Sequence, residues 1–300
     1  MELVEKINRL KKEKNAVILA HNYQISEVQD VADYVGDSLG LSIQASKTTA
    51  EVIVFCGVYF MAETAKILSP GKIVLIPDKN AGCPMADMIN AEDLRKIKAE
   101  HPRAKVLCYV NTTAEVKAEC DVCCTSGNAE RIVREVFQED DEIIFAPDQH
   151  LAHYVLTQVK RNFIIWKGYC PTHVKILPED IAMKRALYKG AEVIVHPECP
   201  ASVSSLADKV LSTEGMCNYI KASKGKEFII GTEIGILHRL KKENPGKSFY
   251  PASDWATCPN MKLTTLENIY WALEERQYEV NVPPEIIAKA KKSLQIMLDH

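Results

Sequence analysis

The chain has 300 residues, 47% hydrophobic and 26% charged, which is an ordinary globular balance and enough chain for two or three compact units. The formal net charge of −3, with dispersed basic residues, argues against a nucleic acid or a membrane surface as the main partner. The sequence has no signal-peptide core and no apolar run long enough to cross a bilayer, so we expect a cytoplasmic protein.

The predicted elements begin with an amphipathic helix in "MELVEKINRLKKEKN", followed by the strand pattern "AVILAHNY". Short apolar strands then alternate with amphipathic helices as far as Cys258, which is typical of parallel sheets covered by helices on both faces. Two helical segments follow, "LTTLENIYWALEERQYEV" and "PPEIIAKAKKSLQIMLDH". Since no strand comes after them, we expect both to pack back onto the first part of the chain.

Several landmarks recur along the chain with a period of 87 or 88 residues. In triplets they are the Cys-Pro cysteines Cys83, Cys170 and Cys258; the strand-end residues His21, Tyr109 and His196; Tyr23, Asn111 and Glu198 two residues later; and Ser38, Ser126 and Thr213. Such a repeat predicts an α/β fold of three homologous three-layer αβα units with parallel sheets around a pseudo-threefold axis. We predict units at 1–84, joined by the C-terminal helices 259–300, at 85–171 and at 172–258.

The repeat predicts a shared site at the centre, because ligands of open α/β sheets lie beyond the carboxyl ends of the strands. Three thiols delivered to one point suggest a metal centre with an open position, and thiolates suit zinc or an iron–sulfur cluster. A [4Fe–4S] cluster on three cysteines leaves one iron open as a Lewis acid. Ser38, Ser126 and Thr213 could equally cap helices, and both roles are compatible, since helix N-termini bind carboxylates and phosphates.

The remaining cysteines and two histidines have less specific patterns. In a reducing compartment we expect no disulfide framework. We interpret Cys56, Cys108 and Cys199 as packing residues. Cys120, Cys123 and Cys124 have redox-like or zinc-like spacing, but they align with ordinary strand positions of the other units and are also interpreted as core. His150 and His153 are interpreted as flanking a helix start rather than as metal ligands.

Eight stretches are long enough to compare with known families: "ILAHNYQ", "DVADYVGDSL", "DKNAGCPMAD", "YVNTTAEVKAECD", "VHPECP", "STEGM", "IGTEIG" and "CPNMKLTTLENI". Together they resemble the quinolinate synthase family, iron–sulfur enzymes of NAD biosynthesis, over essentially the whole chain. The resemblance implies condensation and dehydration of iminosuccinate with dihydroxyacetone phosphate, giving quinolinate, phosphate and water. It implies a [4Fe–4S] cofactor and suggests a functional link to the enzyme that supplies iminosuccinate. Some members carry a C-terminal C-x-x-C-x-x-C segment that is absent here, so no redox switch of that kind is expected.

The resemblance also implies residue roles. The cluster ligands would be Cys83, Cys170 and Cys258, the three cysteines that the repeat selects. The substrate-binding positions would be His21, Ser38, Tyr109, Asn111, Ser126, His173, His196, Glu198 and Thr213, with Tyr23 as a further active-site position. Two carboxylates on the substrate require hydroxyl, amide and imidazole donors. We interpret Tyr23 and Glu198 as acid–base groups, and His21 and His196 as catalytic donors to carboxylate or phosphate.

Two other classes of function are compatible with three convergent cysteines. A non-catalytic iron–sulfur sensor would need no convergent acid–base set, so the strand-end His, Tyr and Glu residues argue against it. A zinc hydrolase would use a three-cysteine metal ion to activate water. The visible spectrum of anaerobically purified protein would separate iron from zinc.

Overall fold

The computed structural model describes residues 2–300, which form three four-stranded parallel sheets covered by helices. The first sheet region contains α1 (Glu2–Glu13), β1 (Ala16–His21), α2 (Ser26–Val31), β2 (Tyr34–Gly36), α3 (Ser38–Lys47), β3 (Val52–Cys56), α4 (Tyr59–Leu68) and β4 (Ile73–Leu75). The second contains α5 (Ala91–Glu100), β5 (Lys105–Tyr109), α6 (Ala114–Ala118), β6 (Val122–Cys124), α7 (Ala129–Val136), β7 (Glu142–Ala146), α8 (Gln149–Gln158) and β8 (Asn162–Ile165).

The third sheet region and the C-terminal helices complete the chain. They are α9 (Pro178–Leu187), β9 (Glu192–Val195), α10 (Ala201–Ser204), β10 (Lys209–Val210), α11 (Thr213–Ala222), β11 (Glu227–Gly231), α12 (Ile236–Glu243), β12 (Ser248–Pro251), α13 (Leu266–Glu275) and α14 (Pro284–Asp299). Within residues 2–300, none of the helices has both the length and the apolar composition that crossing a membrane requires.

All three sheets have the same topology. The strand orders are β2-β1-β3-β4, β6-β5-β7-β8 and β10-β9-β11-β12, and every pair within them is parallel. The central strands are short apolar runs such as "VIVFC" in β3, which is buried along its whole length, as expected for strands with helices on both faces. The predicted fold class of three αβα units is therefore confirmed, while the exact unit boundaries stay a prediction.

The units share most of their hydrophobic core. The largest buried cluster includes residues of all three sheets and of α14, and two smaller clusters lie under α1 and α13 and in the third unit. Helix α13 packs on α1 and β3, whereas α14 lies along α6 and β6 and also contacts α4. The last helix therefore covers the second sheet as well as the first, because its apolar face fits between those helices, and the expectation that both helices pack on the first unit alone was too narrow.

The loops that follow the sheets have a common form. Each of the three repeated Cys-Pro pairs leads into a short 3₁₀ turn, and these turns span Ala86–Met88, His173–Lys175 and Asn260–Lys262. Proline fixes its own backbone and restricts the residue before it to extended conformations, so each cysteine is held just ahead of a rigid turn. The cysteine loops and the strand ends of all three units thus meet in one region.

Candidate active site

The carboxyl ends of the three sheets surround one central cavity. Its lining includes every residue that the sequence predicts for the site: His21, Tyr23, Ser38, Cys83, Tyr109, Asn111, Ser126, Cys170, His173, His196, Glu198, Thr213 and Cys258. These residues come from all three units. The fold therefore brings these side chains together, while their individual roles do not follow from proximity and stay predictions.

The strand ends place equivalent residues in equivalent positions. Strands β1 and β5 end at His21 and Tyr109, and His196 directly follows β9. All three side chains are buried. Two positions later, in the turns that follow β1 and β9, Tyr23 and Glu198 are buried and line the same cavity.

The two strand-end histidines have the same tautomer. His21 Nδ1 accepts the backbone N–H of Tyr23 at 3.2 Å, and His196 Nδ1 accepts that of Glu198 at 3.3 Å. A backbone N–H can only donate, so each Nδ1 is unprotonated and the proton of each neutral ring is on Nε2. Burial also lowers the pKa of both imidazoles to about 3. Both rings are therefore neutral donors through Nε2, and that of His196 lies 3.1 Å from Ser126 Oγ.

A continuous chain of polar contacts crosses the cavity. The Tyr109 hydroxyl donates to one oxygen of Glu198, and the other oxygen lies 2.8 Å from His173 Nδ1. His173 Nε2 is 2.8 Å from Thr232 Oγ1, which is 2.6 Å from the Tyr23 hydroxyl. The contact between Glu198 and His173 is too poorly aligned for a good hydrogen bond, and His173 Nδ1 has no other polar partner among the described residues.

The electrostatics of this chain favour an ionised Glu198. Burial works to raise the pKa of its carboxyl group, but the charge of His173 and the hydrogen bond from Tyr109 outweigh it and lower the pKa below its ordinary value. Burial and then the negative charge of Glu198 raise the pKa values of Tyr23 and Tyr109 well above 10. The cavity thus holds a carboxylate flanked by two neutral phenols.

The three cysteine thiols are a plausible ligand set for a metal cluster. Burial raises the pKa of all three thiols, that of Cys83 to about 12, so cationic metal would be needed to deprotonate them. A single tetrahedral zinc ion with Zn–S bonds of about 2.3 Å needs its sulfurs only about 3.8 Å apart.

Among residues 2–300, the one group of three ligand atoms within 4.8 Å of each other comes from Cys170, His173 and Glu198. The three cysteine sulfurs are spread more widely than one zinc ion requires. A polynuclear cluster, in which each thiolate binds a different iron, does not require its ligand sulfurs to be that close.

The sequence reasoning missed several polar residues of the site. Glu233 is fully buried, lines the cavity, accepts the N–H groups of Gly235 and Cys258 at 2.7 and 3.1 Å, and pairs with Lys262 at 2.9 Å. Glu233 and Thr232 directly follow β11. Applying the strand-end rule to the second apolar strand of each unit, and not only to the first, would have found both residues.

The other cysteines and histidines are mostly where the sequence predicts. Cys56, Cys123, Cys124 and Cys199 are buried free thiols, and His150 and His153 lie at the start of α8. Cys120 differs, because it precedes β6 instead of lying in a strand.

Cys120 forms a disulfide with Cys108 of β5. One pair is not a disulfide framework, but the interpretation of Cys108 and Cys120 as packing residues alone was wrong. The turn after α6 returns Cys120 to the neighbouring strand, with the two Cα atoms 6.2 Å apart.

The fold and the cavity define a class: a single-chain α/β enzyme of three repeated units whose strand ends and cysteines surround one central site. The chain belongs to the quinolinate synthetase A family, whose model matches residues 5–299.

Relatives named quinolinate synthase are similar over nearly their full lengths. The protein of Dehalococcoides mccartyi strain CBDB1 is 55% identical over 293 residues, which is 98% of this chain and 96% of the relative. That of Thermodesulfovibrio yellowstonii is 54% identical over 296 residues, covering 98% and 97%. The protein of Methanosarcina barkeri strain Fusaro is 51% identical over 297 residues, covering 99% and 97%.

Proposed function

We propose that this protein is a quinolinate synthase, which condenses iminosuccinate with dihydroxyacetone phosphate to give quinolinate, phosphate and water. The observation that carries the proposal is the convergence of three repeated cysteines and of the predicted substrate-binding residues in one cavity. Membership in a family whose relatives carry this name supports the same activity. We further propose a cytoplasmic location. We also propose a functional link to the enzyme that supplies iminosuccinate, because this imine hydrolyses in water.

The proposed cofactor is a [4Fe–4S] cluster held by Cys83, Cys170 and Cys258. When bound, it would supply one iron without a protein ligand, a Lewis acid for a substrate oxygen or nitrogen. The three sulfurs are not all within 4.8 Å of one another among residues 2–300, which does not suit the single zinc ion of a hydrolase. The compact group of Cys170, His173 and Glu198 could hold one ion, but His173 and Glu198 already contact each other, Tyr109 and Thr232.

The protein residues would bind the anionic substrates through neutral donors. His21 offers Nε2–H, and Ser126 and Thr213 offer hydroxyls near helix starts, where the helix dipole also favours anions. Neutral donors suit a substrate with two carboxylates, because they donate hydrogen bonds to the carboxylate oxygens and carry no negative charge that would repel them. Asn111 adds an amide oxygen that has no protein partner within residues 2–300 and can accept a substrate N–H or O–H.

We assign the proton transfers of the reaction to the polar contacts that run from Tyr109 through Glu198, His173 and Thr232 to Tyr23. Glu198 is ionised in the free protein and can accept a proton during imine formation or loss of water. His173 Nδ1 lies 2.8 Å from this carboxylate, so a small turn of the ring would align the two for proton transfer. Beyond His173, Thr232 and Tyr23 continue the chain at 2.8 and 2.6 Å. An anion in a pocket for a dianionic substrate needs a chemical reason, and proton transfer supplies one.

The proposal is tested with protein purified without oxygen. We expect about four irons and four sulfides per chain, a broad thiolate-to-iron absorption that is lost in air, and quinolinate formed only when both substrates are present. Zinc without sulfide would favour the hydrolase. A loaded cluster without any quinolinate formation would refute the proposed activity.

A further inference from the structure

A buried polar contact joins the first and third units behind the cavity wall. Asn22, which directly follows β1, donates from Nδ2 to Thr213 Oγ1 at 3.1 Å. Its Oδ1 accepts from Arg239 Nη1 at 3.0 Å, and Asn22 is fully buried. Arg239 of α12 is itself fixed by Glu214, at 2.7 and 3.1 Å, and by Glu243, at 2.7 Å. The amide therefore lies between an anchored guanidinium and a hydroxyl of the cavity lining.

The direction of each hydrogen bond in this chain is determined by chemistry. A guanidinium has donors and no acceptor, so the Asn22 atom that faces Arg239 must be the carbonyl oxygen. The NH₂ group must then face Thr213 and donate to its hydroxyl oxygen. Thr213 has one hydroxyl proton, which finds no acceptor among residues 2–300. That proton is left for a ligand in the cavity.

We propose that Asn22 and Arg239 are positioning residues that make Thr213 an obligatory hydrogen-bond donor to an anionic oxygen of the substrate, a carboxylate or a phosphate. The inference rests on the proposed function and extends it, because it explains how a hydroxyl that could donate or accept is committed to donating. A hydroxyl that could donate its hydrogen bond to a protein acceptor instead would bind the same anion less tightly.

This arrangement is not a by-product of the repeat. One and two periods after Asn22 the chain has Val110 and Pro197, which cannot make these bonds. A different contact between the second and third units has the same hydrogen-bond direction. There the Nε2–H of His196 faces Ser126 Oγ at 3.1 Å, so the hydroxyl oxygen again accepts. Two different contacts between units thus leave a hydroxyl proton available to the cavity, which indicates a requirement of the ligand rather than of the fold.

The test is a double-mutant cycle on quinolinate binding to the cluster-loaded protein, with KM and kcat measured in parallel. We expect Thr213→Val to raise the Kd for quinolinate about tenfold, the usual scale of one hydrogen bond to a charged group. Asn22→Ala should raise Kd severalfold and affect KM more than kcat. Because Asn22 acts through Thr213, adding Asn22→Ala to Thr213→Val should change Kd less than twofold.

A second pair of variants keeps every atom of Asn22 and tests only the orientation of its side-chain amide. Arg239→Met removes the obligatory donor, so the amide can turn over and Kd should rise at least threefold, whereas Arg239→Lys keeps a donor and should restore most of the affinity. Asn244→Ala is the matched control, since Asn244 bonds only the Leu240 carbonyl at the end of α12. We expect it to leave Kd unchanged.

Two outcomes would overturn the positioning role: fully additive effects of Asn22→Ala and Thr213→Val, or equal Kd values for Arg239→Met and Arg239→Lys. If Asn22→Ala does not fold, the Arg239 pair decides alone. A parent protein that carries its cluster but neither binds nor forms quinolinate would instead refute the proposed function, so the two failures are distinguishable.

Discussion

The central cavity and a neighbouring region between the first and second units both combine cysteines with buried charged groups, yet they use them differently. We call this region the flank and define it by Glu63 of α4, Lys117 of α6, Cys123 of β6 and Ser293 of α14. All four are buried. The Phe60 ring separates the two regions, because it lines the cavity on one side and lies 5.2 Å from Lys117 Nζ on the other.

In the flank, the polar groups are used by the protein itself. Lys117 donates to the Thr112 carbonyl, and Glu63 accepts the Ala114 N–H at 3.1 Å. The Cys123 thiol faces Ser293 Oγ at 3.4 Å, and Ser293 also bonds the Lys117 carbonyl at 3.0 Å. The cavity instead leaves the Asn111 oxygen without a partner among residues 2–300, and three free thiols line it. Unused bonding capacity, more than burial or residue type, distinguishes a ligand site from a structural polar cluster.

The two buried carboxylates show the same contrast in their pKa values. Glu63 has one hydrogen-bond donor, and burial raises its pKa to about 7 despite the charge of Lys117. Glu198 is at least as deeply buried, but His173 and Tyr109 lower its pKa. Burial alone therefore does not neutralise a carboxyl group, since the number and charge of its partners decide.

The largest expected effect is loss of the cluster when a cavity cysteine is removed. Cys170→Ala should bind no [4Fe–4S] cluster and form no detectable quinolinate, because two thiolates cannot replace three. Cys123→Ala removes a thiol from the flank and should keep normal iron and sulfide content. Both are measured by iron and sulfide analysis after anaerobic reconstitution. Full iron and sulfide content in Cys170→Ala would show that Cys170 is not a cluster ligand.

The next effect concerns the two carboxylates. Glu198→Gln keeps the shape and most hydrogen bonding but removes basicity, so kcat should fall at least ~10²-fold, the usual scale of a missing acid–base group. Cluster content and substrate binding should stay near normal. Glu63→Gln makes the same change in the flank and should leave kcat within a fewfold of the parent. A fewfold loss in Glu198→Gln as well would mean that this carboxylate only orients its neighbours.

The sequence was most informative where a repeat and a fixed geometry act together. Parallel strands bring their carboxyl ends to one edge, so residues one period apart at strand ends could be placed in a common site before any coordinates existed. Cys83, Cys170 and Cys258 were singled out for the same reason. The pattern of alternating strands and helices likewise sufficed for the fold class.

Contacts between distant parts of the chain could not be predicted in this way. Asn22 and Arg239 are 217 residues apart, and the period carries no information on which side chains meet across units. The position of α14 was missed because hydrophobic periodicity identifies the buried face of a helix but not its partner. The pairing of Cys108 with Cys120 depends on a turn whose path only the folded chain defines.

The smallest effect is the pH dependence of stability contributed by Glu63 of the flank, which comparison with a Glu63→Gln variant isolates from that of the cavity groups. The pKa of Glu63 is raised from an ordinary 4.5 to about 7, so folding favours its protonated form. The resulting stability is fully present below pH 4.5 and is lost as the pH rises through 7.

Glu63→Gln cannot ionise and should lack this loss, while its amide oxygen can still accept the Ala114 N–H. Relative to this variant, the parent's free energy of unfolding should fall by about 2 to 3 kcal/mol over that pH range. Denaturant unfolding at several pH values measures the difference. Parallel pH profiles for the two proteins would mean that Glu63 is ionised throughout this range, as Glu198 is, and that the charge of Lys117 outweighs burial in the flank too.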